Sequence, residues 1–273
     1  MGSLVKPSIV FCDMDGTFLA SDKHVPSANM RLLDRLHEDG VSFVPCTGRP
    51  VQAVPAEVLA HPAVRYAVGA NGAVIRDMQS GEDVFACGLE PRRVLSLYES
   101  IAGVRTTFDV FADGEVLSER ARYEDMGAYG IDEPTLAMLR RVRQPTDLTV
   151  PQIIRHARVI EKVTCFWCDE RDRDALVQAI GFVGGLSCVR GHPKDFEVQA
   201  PGTSKGSALT WLCERLEIDP RYAVAFGDES NDMSLLKAAG VGVAMANSSD
   251  EVRAVADAVT TSNDEAGVAA FFA

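Results

Sequence analysis

The chain has 273 residues, enough for one large α/β domain or two modest ones, and its 47% hydrophobic content supplies a substantial core. Its 27 Lys and Arg against 39 Asp and Glu give a net charge of -12, which argues against a broad surface for DNA or RNA backbones and leaves room only for a local cationic pocket. Seven Cys without regular spacing, an amino terminus with no basic segment before a long apolar stretch, and no apolar run near the roughly 20 residues of a membrane span predict a reduced, soluble, cytoplasmic protein.

The apolar run Ile9-Val10-Phe11-Cys12 reads as a buried strand, and directly behind it stands Asp13-Met14-Asp15-Gly16-Thr17. In open α/β sheets chemistry gathers beyond the carboxyl ends of strands, so two carboxylates sit where chemistry is expected. If the backbone stays extended, residues at i and i+2 face one side and Asp13 and Asp15 converge. Such a pair suits a nucleophile beside a proton donor, or a hard-metal site, and Gly16 lets the backbone approach a ligand. Alone, an Asp-x-Asp pair is more often a turn or a solvated strand end. A helical pattern follows over residues 28–38, with Ser27 as N-cap and Gly40 as a stop. The next strand, residues 41–45, ends at Cys46-Thr47-Gly48-Arg49, which completes βαβ grammar. Residues 66–69 and 73–75 read as two more strands around the turn dipeptide Asn71-Gly72.

From about residue 82 the grammar changes. A helix over 92–101, a hairpin of 106–112 and 115–118 around Asp113-Gly114, a strand over 160–167 and a helix over 171–180 ending near Gly181 describe an inserted α+β unit. Gly184-Gly185, Gly191 and Pro193 mark its exit. Cys165 and Cys168 lie three apart on a strand pattern and therefore on opposite faces, so core packing is favoured over a redox or zinc role. His192 and Arg190, near the return of the insert, fit a surface loop better than a substrate contact. βαβ grammar then resumes: Thr203-Ser204-Lys205-Gly206 opens a helix to about 216, and a strand over 222–226 ends in Gly227-Asp228. Glu229-Ser230-Asn231-Asp232 leads into a helix over 233–239, a strand covers 241–244, and Ser248 with Glu251 forms a capping-box pattern. Gly240-Val241-Gly242 lacks the third glycine of a dinucleotide fingerprint.

Four polar clusters thus stand at strand ends or helix starts: Asp13 with Asp15, Thr47-Gly48, Lys205, and Asp228 with Asn231 and Asp232. They make up an inventory for phosphoryl transfer, which needs an in-line nucleophile, donors for the equatorial oxygens, a charge-bridging cation and an acid for the leaving group. With these motifs in this order, the chain resembles the haloacid dehalogenase superfamily, specifically the Cof-type phosphatases with a large α/β (C2-type) cap. The endings Gly242-Val243-Ala244-Met245 with Asn247, and Ser262-Asn263-Asp264-Glu265-Ala266-Gly267-Val268, are similar to the same subgroup.

The resemblance implies an α/β fold, a Rossmann-like core with a parallel sheet at 1–82 and 191–273, and an α+β cap at 83–190. It implies Asp13 as nucleophile and Asp15 as acid/base, with Asp13, Asp15 through its backbone carbonyl, Asp228 and Asp232 holding Mg²⁺, Asp232 either directly or as an anchor behind the ligands. Thr47, Gly48, Lys205, Asn231 and Gly16 would bind the phosphoryl group of a small phosphorylated metabolite such as a sugar phosphate. Arg49 is as well explained by a structural salt bridge as by a phosphate contact. Two alternatives stay open: a phosphomutase of the same superfamily and a non-catalytic phosphometabolite-binding protein. Oligomeric state is not legible.

Overall fold

A computed structural model describes residues 6–273. In chain order its strands are β1 (Ile9–Asp13), β2 (Ser42–Cys46), β3 (Tyr66–Gly69), β4 (Val74–Asp77), β5 (Asp83–Ala86), β6 (Asp109–Ala112), β7 (Glu115–Glu119), β8 (Arg143–Thr146), β9 (Ile160–Phe166), β10 (Ser187–Val189), β11 (Asp195–Gln199), β12 (Ala223–Gly227), β13 (Val241–Ala244) and β14 (Ala258–Val259). The chain divides into two compact units. The first joins the described residues up to Phe85 with Ser204–Ala273, and the second is Ala86–Thr203.

The first unit is built on an eight-stranded sheet in the order β14-β13-β12-β1-β2-β3-β4-β5. The run from β14 to β3 is parallel, and β4 turns back antiparallel on β3. Every residue of β1 is buried, which explains why its sequence is continuously apolar instead of alternating. Val10 and Cys12 face Leu32, Leu33 and Leu36 of the helix Ser27–Glu38. Ile9 and Phe11 face Leu209 and Leu212 of the helix Lys205–Arg215 on the other side. Each such leucine contributes about 1.5–3 kcal/mol on burial, so the two helices are held by their apolar stripes. Because β1 is flanked by β2 on one side and by β12 on the other, the order in which strands are added reverses there while all three stay parallel. Such a switch point opens a crevice beyond the carboxyl ends of β1 and β12.

Two expected caps are absent. Pro26, not Ser27, stands at the N-cap of the first helix, and the Ser27 hydroxyl accepts from Arg31 Nη1 at 3.2 Å. Ser248 donates to the Met245 carbonyl at 2.6 Å, so the capping box with Glu251 does not form and the helix Asp250–Arg253 starts after Ser249.

The second unit carries a six-stranded sheet in the order β10-β11-β9-β6-β7-β8. Its helices Pro91–Ser100, Val150–His156 and Glu170–Val183 pack over the apolar face made by Val110, Val163, Cys165 and Val198. The helix expected to stop at Gly181 runs on to Val183 and closes at Gly184 with φ 64°. The return to the first unit, expected at 191, comes at Ser204. Asp195–Gln199 is antiparallel to β9 and β10, so Gly191 and Pro193 belong to a turn inside this sheet and not to an exit. All seven cysteines are free thiols, and Cys165 is core, as its place on the strand requires. Among the described residues no helix is long and apolar enough to cross a membrane.

Candidate active site

β1 and β12 are adjacent and parallel, and they end in Asp13 and in Gly227-Asp228. One carboxylate oxygen each of Asp13, Asp228 and Asp232 lies within 4.8 Å of the others, and all three residues are buried. Lys205 reaches them from the first turn of its helix, whose start is fixed by the Ser204 hydroxyl accepting from Ser207 N at 3.0 Å. Its fully buried side chain pairs with Asp13 and lies 2.6 Å from Asp232 Oδ1. The other oxygen of Asp232 accepts from the backbone N–H groups of Asp228 and Glu229, each at 3.1 Å. Asp232 is therefore spent on holding the lysine and the loop after β12.

Burial first, and then the charge of Asp232, push Asp228 up to about 7. Burial and Asp232 likewise hold Asp13 well above the usual carboxylate range against the pull of Lys205. Burial acts to lower Lys205, but Asp13 and Asp232 overcome it and keep the ammonium well above its ordinary value. Three buried carboxylates thus face one buried ammonium, an excess of two negative charges when all ionise. Hard oxygen donors with uncompensated negative charge fit a divalent hard cation.

Asp228 is aimed by its neighbours. Thr17 Oγ1 donates to its Oδ1 at 2.7 Å, and Asn247 Nδ2 donates to the Gly16 carbonyl at 2.8 Å and to Asp228 Oδ2 at 3.4 Å. Gly16 has φ 82°, and a Cβ there would overlap the Asp228 carboxylate, so glycine is required twice over.

Asp15 departs from the extended geometry expected of it. Phe18 N donates to the Asp13 carbonyl at 3.2 Å and Leu19 N to the Met14 carbonyl at 2.9 Å, so the chain coils immediately after Asp13. The Asp15 carboxylate stands outside the buried trio, part-exposed, with Lys23 Nζ at 2.9 Å and Arg49 Nη2 on the same oxygen, Oδ1. Of the two readings of Arg49, the ion pair is the one observed.

Thr47 is buried at the end of β2, where its hydroxyl oxygen accepts from Arg49 N at 3.1 Å and Gly48 forms the bend between them. The Thr47 carbonyl accepts from Asn71 N at 3.1 Å, and Asn71 adopts φ 57°. Asn231 Nδ2 donates to Asn71 Oδ1 at 3.2 Å, while Asn231 Oδ1 is buried without a hydrogen bond among the described residues. The His192 ring packs against Phe166 and lies 3.3 Å from Asp132, and the Arg190 guanidinium lies over Trp167 and Phe196. Lys23 is not singled out from sequence, and Thr17, Asn71 and Asn247 carry no site role there, Asn247 being named only within a family-like ending. Thr17 lay inside the first motif and Asn71 was legible only as a turn residue, whereas Asn247 meets Gly16 across 231 positions, a pairing no local pattern encodes.

Residues 10–272 match the profile of a family described as haloacid dehalogenase-like hydrolase. The chain belongs to the haloacid dehalogenase-like hydrolase family. The putative phosphatase YxeH of Bacillus subtilis is 27% identical to this HAD-like hydrolase over 272 residues, covering 96% of this chain and 95% of the relative. The pyridoxal phosphate phosphatase YbhA of Escherichia coli is 27% identical over 269 residues, covering 96% of each. A phosphatase of the haloalkanoate (HAD) superfamily from Bacteroides thetaiotaomicron superposes with a TM-score of 0.82 at 24% identity, covering 99% of this chain and 95% of the other, which shows a shared fold. The HAD-like hydrolase is accordingly an enzyme of the Cof type, with a mixed α/β core.

Proposed function

We propose that this phosphatase is a Mg²⁺-dependent phosphomonoester hydrolase acting on small phosphorylated metabolites, phosphorylated sugars among them, through an aspartyl-phosphate. The observation that carries the reading is Asp13 at the carboxyl end of β1, ion-paired to buried Lys205 beside Asp228 and Asp232. The activity of YbhA on pyridoxal phosphate supports a small phosphorylated substrate.

In the first half-reaction a carboxylate oxygen of Asp13 attacks phosphorus. The bond to the leaving oxygen breaks with its electron pair on that oxygen, which takes the proton of Asp15. In the second, the Asp15 carboxylate takes a proton from water as the water oxygen attacks phosphorus. The bond to Asp13 breaks, restoring its carboxylate and freeing inorganic phosphate. The Thr47 hydroxyl, Asn231 and backbone N–H groups near Gly16 and Gly48 hold phosphoryl oxygens, and Lys205 balances their charge. Mg²⁺ bound by the Asp13 and Asp228 carboxylates and the Asp15 carbonyl, with Asp232 anchoring from behind, would screen the nucleophile from the phosphate. Two unit charges 4 Å apart repel by about 4 kcal/mol at an effective dielectric of about 20, so the screening matters.

A screen over phosphorylated metabolites with Mg²⁺, with EDTA and with Asp13→Asn tests the reading. Steady phosphate release that needs the metal and Asp13 supports it. Metal-independent turnover overturns the mechanism, and a requirement for a bisphosphate assigns a phosphomutase instead.

A further inference from the structure

The turn after the first motif carries a lysine where its backbone calls for glycine. Lys23 N donates to the Ala20 carbonyl at 2.8 Å and Ala20 N to the His24 carbonyl at 3.0 Å, so Ser21 and Asp22 form the corner and Lys23 follows with φ 73°. A tight turn that ends in a left-handed residue takes glycine there, because a Cβ disfavours that conformation. The turn is held rigidly all the same: Ser21 N and Oγ each donate to the Asp264 carboxylate at 2.8 Å, and His24 N donates to Asp22 Oδ1 at 3.1 Å. The product of this geometry is an ammonium 2.9 Å from Asp15 Oδ1. Arg49, from the loop after β2, meets the same oxygen. Among the described residues no hydrogen bond engages Asp15 Oδ2.

We propose that Lys23 is a positioning residue for the acid/base step. This rests on the phosphatase reading above. A part-exposed carboxylate rotates freely about its last torsion. Two cations on one oxygen fix that torsion and leave Oδ2 as the atom that gives a proton to the leaving oxygen and later takes one from water. The strained turn is then explained by its cargo: glycine would relax the backbone and lose the ammonium. Misplacing an acid costs most where the leaving group most needs a proton.

The test compares wild type, Lys23→Gly, Lys23→Arg and Asp13→Asn on a hexose 6-phosphate, whose leaving group is an alkoxide, and on p-nitrophenyl phosphate, whose leaving group needs little protonation. Lys23→Gly is expected to lower kcat on the sugar phosphate about 10-fold with KM within about twofold, and to lower kcat on the aryl ester less than about threefold. Its melting temperature should not fall, because glycine suits the turn. Lys23→Arg, which keeps the cation, should recover most of kcat. An active wild type whose Lys23→Gly variant is unchanged, or loses equally on both esters, overturns the assignment of Lys23 alone. A wild type that hydrolyses neither ester, or an Asp13→Asn variant as active as wild type, overturns the phosphatase reading and the role of Lys23 with it.

Discussion

Lys205 Nζ lies 2.6 Å from Asp232 Oδ1 with both side chains fully buried, and the same ammonium pairs with Asp13. A buried cation shared by two carboxylates does not by itself raise stability, since desolvation opposes the Coulomb gain. Its removal is another matter, because it strands two negative charges in a site already anionic. Lys205→Met is expected to destabilise the fold by about 3–5 kcal/mol and to abolish phosphate release. Urea unfolding measures the first effect, and a loss below about 1 kcal/mol would mean that the carboxylates find other compensation.

Asp13→Asn should separate stability from activity. The substitution deletes a carboxylate that burial and Asp232 already hold well above its ordinary range, so the metal-free variant is expected to melt no lower than wild type. Phosphate release should fall by at least about 10³-fold, because an amide is no nucleophile. A melting curve and a phosphate-release assay on one preparation decide it; lower stability would show that the Lys205 pair outweighs the repulsion.

Asp13 and Asp228 show how far sequence reading reaches. Apolar runs ending in acids placed Asp13 and Asp228 at strand ends, since parallel strands buried on both faces leave continuous hydrophobic runs. Asp15 was legible as a residue of interest but not as a position. The expected extended backbone coils after Asp13, and the cations that receive Asp15 come from a turn and from a second strand end. The boundary of the insert was misplaced for a similar reason. Gly191 and Pro193 signal a turn, and nothing local distinguishes a turn within a sheet from a departure to another unit.

Gly16→Ala offers a test of the metal site that spares every carboxylate. The new Cβ would overlap the Asp228 side chain and sit on a backbone at φ 82°, so Asp228 must swing away from Thr17 and Asn247. An expected loss of Mg²⁺ affinity of about 10- to 100-fold follows from misorienting one ligand, with the fold otherwise intact. Titration calorimetry with Mg²⁺ reads it directly; unchanged affinity would remove Asp228 from the ligand set.

The second unit supplies a pH effect independent of the site. Burial first, and the charge of Glu197 second, push Asp195 up to about 7, against the pull of N–H donors from Gly191 and His192. An unfolded aspartate titrates near about 3.9, so between roughly pH 4 and pH 7 the folded state keeps a proton that the unfolded state has lost. The contribution of Asp195 to stability therefore falls as pH rises through that window and is constant above it. Asp195→Asn keeps an oxygen to accept from Gly191 and His192, at 3.0 Å each in the wild type, and has no proton to lose. Relative to the variant, the wild type should thus lose stability between pH 5 and pH 8. Paired urea titrations at the two pH values measure the gap between the proteins, and a gap that does not change with pH would show that Asp195 ionises in the fold as it does in the unfolded chain.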